Sequence, residues 1–327
     1  MIRVAVLDDY VRRAEEFADW AALGDRASVT FFHEAIAPER LTEELADYEV
    51  VVITRERARF PSAVLEGLPK LKLIVGIAPS VHVVDREYMQ EQGILFCGTS
   101  DPRPTLPSSN SAPGIGSPAE MAWALIFAVT KRIGIEDRAI RAGAWGTGFP
   151  VSLRGKTLGL AGLGNLGAMM VGPARAFGME VMAWSQNLTP ERTNELGVRR
   201  VSKEELLRDS DVLGIFLVLS ERTRGLFQRQ DLALMKSTAF IVNISRGPII
   251  DESALVEALH SGRIAGAGLD VFDREPLPVD HPLRSTENAV LMPHLGYVSE
   301  SAFRDSFARV PEVIAAFMNG KPIRIIE

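Results

Sequence analysis

The chain holds a single cysteine in 327 residues. One thiol, Cys97, excludes an internal disulfide and a cysteine-rich metal site. Its setting in the apolar GILFCGT reads as a buried structural thiol rather than a nucleophile. Positive charge is also short, with 36 Lys and Arg against 42 Asp and Glu and a net charge of −6. That balance argues against a nucleic acid or an anionic membrane as partner, because both need a basic surface. The longest apolar runs, such as DVLGIFLVLS, are of strand length and fall short of the ~20 residues of a membrane span. The opening MIRVAVLDDY lacks the basic segment and long apolar stretch of a signal peptide and reads as a strand. No short-period repeat is visible. These shortages fit a reducing, cytoplasmic setting without a metal.

Apolar residues at 46% and charged residues at 24% are the composition of a soluble globular protein. The length suggests two domains. Short Val/Ile/Leu runs alternate with helical patterns, which indicates α/β architecture with parallel sheets covered on both faces. Strands are expected over 2–8, 28–33, 49–54, 71–77 and 94–99, with helices over 11–23 and 39–47. The Pro-, Ser- and Gly-rich stretch 100–116, SDPRPTLPSSNSAPGIG, breaks the pattern and is a candidate boundary. A long helix over 118–142 follows. A second α/β run then places strands over 157–162, 180–185, 212–220, 239–245, 264–271 and 289–293. Helices are expected near 165–177, over 251–261 and over 299–319.

Gly162, Gly164 and Gly167 stand in G-x-G-x-x-G spacing between a strand and a helix, the context a dinucleotide site requires. The first glycine permits a tight turn, the second lets backbone approach a pyrophosphate, and the third lets helix and strand pack closely. Asn165 and Leu166 open the helix, whose free N–H groups suit the phosphates. At the end of the next strand an acid normally holds the adenosine ribose. The sequence has Ser185, Gln186 and Asn187 there and no carboxylate, and Arg192 is the nearest arginine. NAD and NADP both remain open.

Three further residues suit hydride chemistry on a keto acid. Arg246 follows a buried strand, where its planar fork can clamp a carboxylate. His294 follows the strand AVLMP. A glutamate beside a histidine, here Glu275, holds the ring tautomer and stabilises the imidazolium. A charged histidine protonates the developing alkoxide, and Arg246 polarises the same carbonyl.

The stretches GKTLGLAGLGNLG, LVLSERTRGLF, FIVNISRGPIIDESALVEALHSGRIAGAGLDVFDREPLP and PHLGYVS resemble the D-isomer-specific 2-hydroxyacid dehydrogenases. They cover most of residues 118–300, and LPKLKLI extends the match toward the N-terminus. The resemblance implies a catalytic set of Arg246, Glu275 and His294. It also implies cofactor contacts at the glycine loop, at Ser185 and Gln186, at Leu219, Ser220 and Thr223, at Asn243, Ile244 and Ser245, and at Asp270 and Gly296. Residues 101–297 would form the Rossmann-type NAD(P)-binding domain. Residues 1–100 and 298–327 would form a smaller flavodoxin-like substrate domain. A homodimer through the 118–142 helix is implied as well.

Departures lie in the N-terminal part. The family's glycine-rich turn, which holds the substrate carboxylate, is replaced by VGIAPSVHVVD. Asp85 fits the usual aspartate, but Pro79 has no N–H to donate, and His82 is unexpected. Gly76 and Ala78 are the candidate substrate contacts there. Arg55, after an earlier strand, reads equally as a substrate residue or a solvated charge. The altered turn and the 100–116 loop leave open a different substrate, a rebuilt or weakened pocket, or a locally altered sequence. A non-catalytic dinucleotide-binding sensor, resembling corepressors of the family, is the competing reading. A phosphoglycerate-type or formate-type relative is a third, and the Glu275–His294 pair suits ordinary hydroxyacid chemistry better.

Overall fold

The computed structural model describes residues 1–77, 83–99 and 117–326. Two compact units emerge, Met1–Ala112 with Glu300–Glu327, and Pro113–Ser299. In the first, β1 (Ile2–Val6), β2 (Ala27–Phe31), β3 (Val50–Thr54), β4 (Leu73–Ile77) and β5 (Leu95–Gly98) make a parallel sheet of order β2-β1-β3-β4-β5. This is the flavodoxin-like order. β3 and β4 are buried along their whole length, which is why they read as unbroken apolar runs. Cys97 lies in β5 with no exposed surface, and burial pushes its thiol up to about 11.

The second unit holds β6 (Thr157–Ala161), β7 (Glu180–Trp184), β8 (Arg199–Arg200), β9 (Val212–Ile215), β10 (Phe240–Asn243), β11 (Gly266–Leu269) and β12 (Ala289–Leu291). The strands are parallel in the order β12-β11-β10-β9-β6-β7-β8. Counted within the unit this is the dinucleotide-binding order 3-2-1-4-5-6 with one strand added. Pairing aligns Trp184, Ala161, Ile215, Asn243, Leu269 and Leu291 in one row across the sheet. Gly162, Ser185, Arg246, Asp270 and His294 all follow that row within three residues. Ligands of open α/β sheets bind beyond this edge.

Several expected elements differ. No helix forms over 11–23; turns run to a 3-10 segment, Trp20–Arg26. The Asp9 carboxylate there accepts the N–H groups of Arg13 and Ala14 (3.0 and 3.3 Å), and such local bonds compete with a helix. The helix over 118–142 is two helices, Ser117–Thr130 and Ile133–Arg141. Arg132 between them has φ 57°, and a left-handed residue ends a helix. The 299–319 helix also divides, into Glu300–Ala308 and Val310–Met318. Pro311 lacks an N–H and would press on the carbonyl of Phe307, so it suits only a first turn. The strand over 212–220 stops at Ile215, and Val218 beyond it is exposed. The two-residue β8, an arginine pair, carries no apolar signal that would announce it. Ala78, Pro79, His82 and the 100–116 loop lie outside the described residues.

Candidate active site

The glycine loop sits where the sheet order reverses, between β6 and its neighbours β7 and β9. Gly162 has φ 101°, and a Cβ there would lie 2.7 Å from the Phe216 carbonyl oxygen. At Gly167 a Cβ would lie 2.3 Å from the Gly162 oxygen. Both positions are closed to any side chain. At Gly164 a Cβ would meet nothing within 4 Å. Open space at the middle glycine, at the start of helix Asn165–Ala176, fits close approach by a pyrophosphate.

A cavity of about 250 Å³ opens beside the loop. Ser185, Gln186 and Asn187 line one side, and Ser220, Arg222 and Thr223 the other. Among the described residues no carboxylate lines it, and Arg222 is the one charged lining residue. Arg222 makes no hydrogen bond or ion pair among the described residues. Arg192, the arginine that sequence proximity suggested, is committed elsewhere: its Nε donates to the Leu163 oxygen (3.2 Å) and its Nη1 to Glu195 (2.7 Å). Chain order hid Arg222, which reaches the cavity from beyond β9. Leu219 belongs to the same loop, whose turn is built by the Thr223 hydroxyl, donating to the Val218 oxygen (2.7 Å) and accepting the Ser220 N–H (2.8 Å).

After β10, Asn243 staples the turn that presents Arg246. Its Oδ1 accepts the Ser245 N–H and its Nδ2 donates to the Arg246 oxygen, each at 3.0 Å. The Ser245 hydroxyl donates to the Ile215 oxygen (2.8 Å), tying the turn to β9. Asn243, Ile244 and Ser245 are all buried; the polar side chains of Asn243 and Ser245 build the turn, and Ile244 packs into the core. Gly247 follows because a Cβ there would sit 2.1 Å from the Phe272 carbonyl carbon.

The histidine loop is held from beneath by Asp270. This carboxylate has no exposed surface, and its two oxygens accept the N–H groups of Leu295 (2.8 Å) and Gly296 (2.7 Å). Burial pushes its carboxyl above the usual range, while those two N–H groups and His294 act the other way. A Cβ at Gly296 would press within 2.8 Å of Asp270 Oδ2, which explains the glycine of PHLG. His294 has φ 55°, a strained value for a residue with a side chain. Its Nδ1 meets Glu275 Oε2 at 2.6 Å, and Glu275 Oε1 accepts the Phe272 N–H (2.9 Å). His294 Nε2 makes no hydrogen bond among the described residues. The His294 side chain is 14% exposed, and the Tyr297 ring packs edge-on against it, centroids 5.3 Å apart. Glu275 and His294 are therefore in contact, and Arg246 stands two strands away along the same sheet edge.

The profile of the D-isomer specific 2-hydroxyacid dehydrogenase NAD-binding domain matches residues 123–296. The glyoxylate reductase of Aeropyrum pernix is 38% identical over 80% of this chain and 78% of its own. The chain belongs to the D-isomer-specific 2-hydroxyacid dehydrogenases. The hydroxypyruvate reductase of Blautia hydrogenotrophica is 29% identical over 99% of both chains. The crystal structure of a phosphoglycerate oxidoreductase from Vibrio cholerae superposes with a TM-score of 0.87 at 29% identity, covering 98% of this chain and 100% of that one. This family member is thus an oxidoreductase acting on the CH–OH group of 2-hydroxy acids with a nicotinamide cofactor, and the non-catalytic sensor reading is not favoured. No helix among its described residues is long and apolar enough to cross a membrane.

Two of the expected substrate residues belong to the other unit. Gly76 lies inside β4, buried and paired with Ile53 and Gly98. Arg55, just past β3, has φ 50°, and its N–H donates to the Ile77 oxygen (3.0 Å). Its Nε lies 3.6 Å from Glu56 Oε2.

Proposed function

We propose that this chain reduces small 2-keto acids reversibly to D-2-hydroxy acids, with Arg246 holding the substrate carboxylate and Glu275–His294 acting as the acid–base pair. The single observation that carries this reading is the 2.6 Å contact between Glu275 and His294 Nδ1, which leaves Nε2 to face a ligand. A nicotinamide bound in this unit supplies or accepts the hydride. The Arg246 guanidinium binds the carboxylate through two parallel bonds and draws charge from the adjacent carbonyl. Protonated His294 gives its Nε2 proton to the oxygen that becomes the hydroxyl. The Glu275 carboxylate stabilises the imidazolium until that transfer. In the reverse direction neutral His294 takes the hydroxyl proton. A positioned acid–base group of this kind contributes about 10²–10⁴-fold.

For the cofactor, we propose NADP(H). An NAD site excludes the 2′-phosphate with a carboxylate at the ribose. Here the described residues of the cavity lining include none and offer Arg222 with the Ser185 and Ser220 hydroxyls. An arginine without a partner among the described residues is suited to a phosphate.

We further propose a homodimer through the region of the two helices over 117–141. On the segment that follows them Trp145 is 88% and Phe149 96% exposed, and Ile133 and Ile140 are exposed on the second helix. Large apolar side chains exposed within one short stretch of chain suit an interaction surface. Sedimentation of the parent and of Trp145→Ser with Phe149→Ser tests this, and a parent that sediments as a monomer would refute it.

The deciding experiment is a panel of glyoxylate, hydroxypyruvate and pyruvate, followed by loss of reduced-nicotinamide absorbance with NADPH and NADH in parallel. Turnover with at least one acid is expected. His294→Ala should abolish it, and unchanged turnover in that variant would overturn the assigned chemistry.

A further inference from the structure

We propose that Glu252 is a positioning residue for the acid–base pair, fixing Glu275 by holding the loop Phe272–Glu275 from the start of the neighbouring helix. The inference rests on the proposed partnership of Glu275 with His294 and extends it to residues that touch neither substrate nor cofactor.

Glu252 begins helix Glu252–His260, one residue after its capping Asp251. Its side chain turns away from the helix and meets two donors. Oε2 accepts the Asp273 N–H (3.1 Å), and Oε1 lies 2.9 Å from His281 Nε2. The Leu283 N–H donates to His281 Nδ1 (3.3 Å), so that nitrogen is the acceptor and the ring proton resides on Nε2, directed at Glu252. Two N–H groups therefore converge on one side chain. Only a carboxylate accepts at both ends; an amide would turn its NH₂ toward one of the donors. The side chains of Glu252 and His281 are 17% and 18% exposed, so water is a poor substitute for either bond.

The same loop is also pressed by the Arg246 turn, since Gly247 leaves no room for a Cβ against the Phe272–Asp273 backbone. Its first residue, Phe272, donates to Glu275 Oε1, and Glu275 Oε2 holds His294. A shift of Phe272–Asp273 thus moves the carboxylate off the imidazole. Glu252 holds this place at an electrostatic cost. The Asp273 carboxyl is pushed up to about 6, by burial first and then by the Glu252 charge; Asp251 adds to the rise, and Arg224 and His281 oppose it. A carboxylate that repels its neighbour in this way is not there to stabilise the surface.

The test uses the full chain with Glu252→Gln, and reads the ring titration of His294 by NMR, assigned through His294→Ala. This readout does not depend on turnover. Glu275 and Asp270 are two carboxylates that act on His294. Loss of close contact with Glu275 should lower the titration midpoint by about half a unit or more, since a nearby carboxylate favours the charged ring. The alkaline limb of the kcat profile for keto-acid reduction should move with it, and kcat should fall by about tenfold. KM for NADPH should stay within about twofold, because Glu252 does not line the cofactor cavity. His281→Leu removes one donor only and should move the midpoint less, in the same direction. It also serves as the test should Glu252→Gln not fold. An unmoved midpoint in both variants overturns the inference, whatever happens to kcat. An unmoved midpoint in Glu275→Gln would instead overturn the partnership on which it rests.

Discussion

Glu275 Oε2 lies 2.6 Å from His294 Nδ1, while the other Glu275 oxygen is anchored on the Phe272 N–H. The glutamate is thereby pinned at one end and free to serve the imidazole at the other. Glu275→Gln keeps the shape and removes the charge. The imidazolium then loses the carboxylate that favours the charged ring. On the proposed mechanism reduction needs the protonated ring, so the alkaline limb of its kcat profile should move to lower pH, with kcat down about 10–100-fold at neutral pH. Oxidation needs the neutral ring, so its acidic limb should move the same way. Profiles measured in both directions check this, and limbs moving in opposite senses would refute it.

The cofactor cavity gives a second expectation. Arg222→Ala should raise KM for NADPH about tenfold and leave KM for NADH nearly unchanged, the loss of one charge-assisted bond to a phosphate. Gln186→Asp should do the same to NADPH by repulsion and improve NADH binding. Steady-state kinetics with both cofactors separate the two effects. Equal loss with NADH and NADPH would mean that Arg222 shapes the cavity and does not read the phosphate.

What the sequence discloses follows from where the information lies. The glycine spacing is local, and Gly162 and Gly167 meet backbone as the motif demands. The Arg246, Glu275 and His294 positions are legible because each follows a strand whose apolar run marks its end. Arg222 and Glu252 were not legible. Their meaning depends on which strands are neighbours, and β6 lies between β7 and β9 only once the sheet order reverses. Arg192, near in sequence, is turned to the Leu163 backbone instead. The breaks at Arg132 and Arg309 differ in kind. Apolar spacing continues across both, so periodicity alone reads one helix; the left-handed Arg132 leaves no mark in the sequence, whereas Pro311 does mark the second break.

Substitutions at Gly164 and Gly167 should separate folding from cofactor binding. At Gly164 a Cβ meets nothing within 4 Å, so Gly164→Ala should leave thermal stability unchanged. The methyl group would instead occupy the space through which a pyrophosphate approaches, and KM for the cofactor should rise about tenfold or more. At Gly167 a Cβ would collide with the Gly162 carbonyl at 2.3 Å. Gly167→Ala should therefore cost about 1–3 kcal/mol of stability, as overpacking does. Melting curves without cofactor, set beside cofactor KM values, test the contrast. A Gly167→Ala protein as stable as the parent would contradict the close packing.

Asp273 offers a test of sign. Its carboxyl is pushed from 3.8 up to about 6, by burial and then by Glu252. The folded chain therefore favours the protonated form. The stability this adds is fully present below pH 4 and is lost as pH rises through 6, so ionised Asp273 destabilises the fold at neutral pH. The shift alone would correspond to about 3 kcal/mol, but the residue is partly open to solvent and screening reduces this to about 1 kcal/mol. Asp273→Asn should raise the melting temperature at pH 7.5 by about 2 °C for a unit of this size. At pH 4, where the parent carboxyl is protonated in the fold, the gain should shrink toward zero. A gain equal at both pH values would mean that Asn stabilises through packing or a new hydrogen bond, and that the carboxylate charge is not what Glu252 and burial oppose.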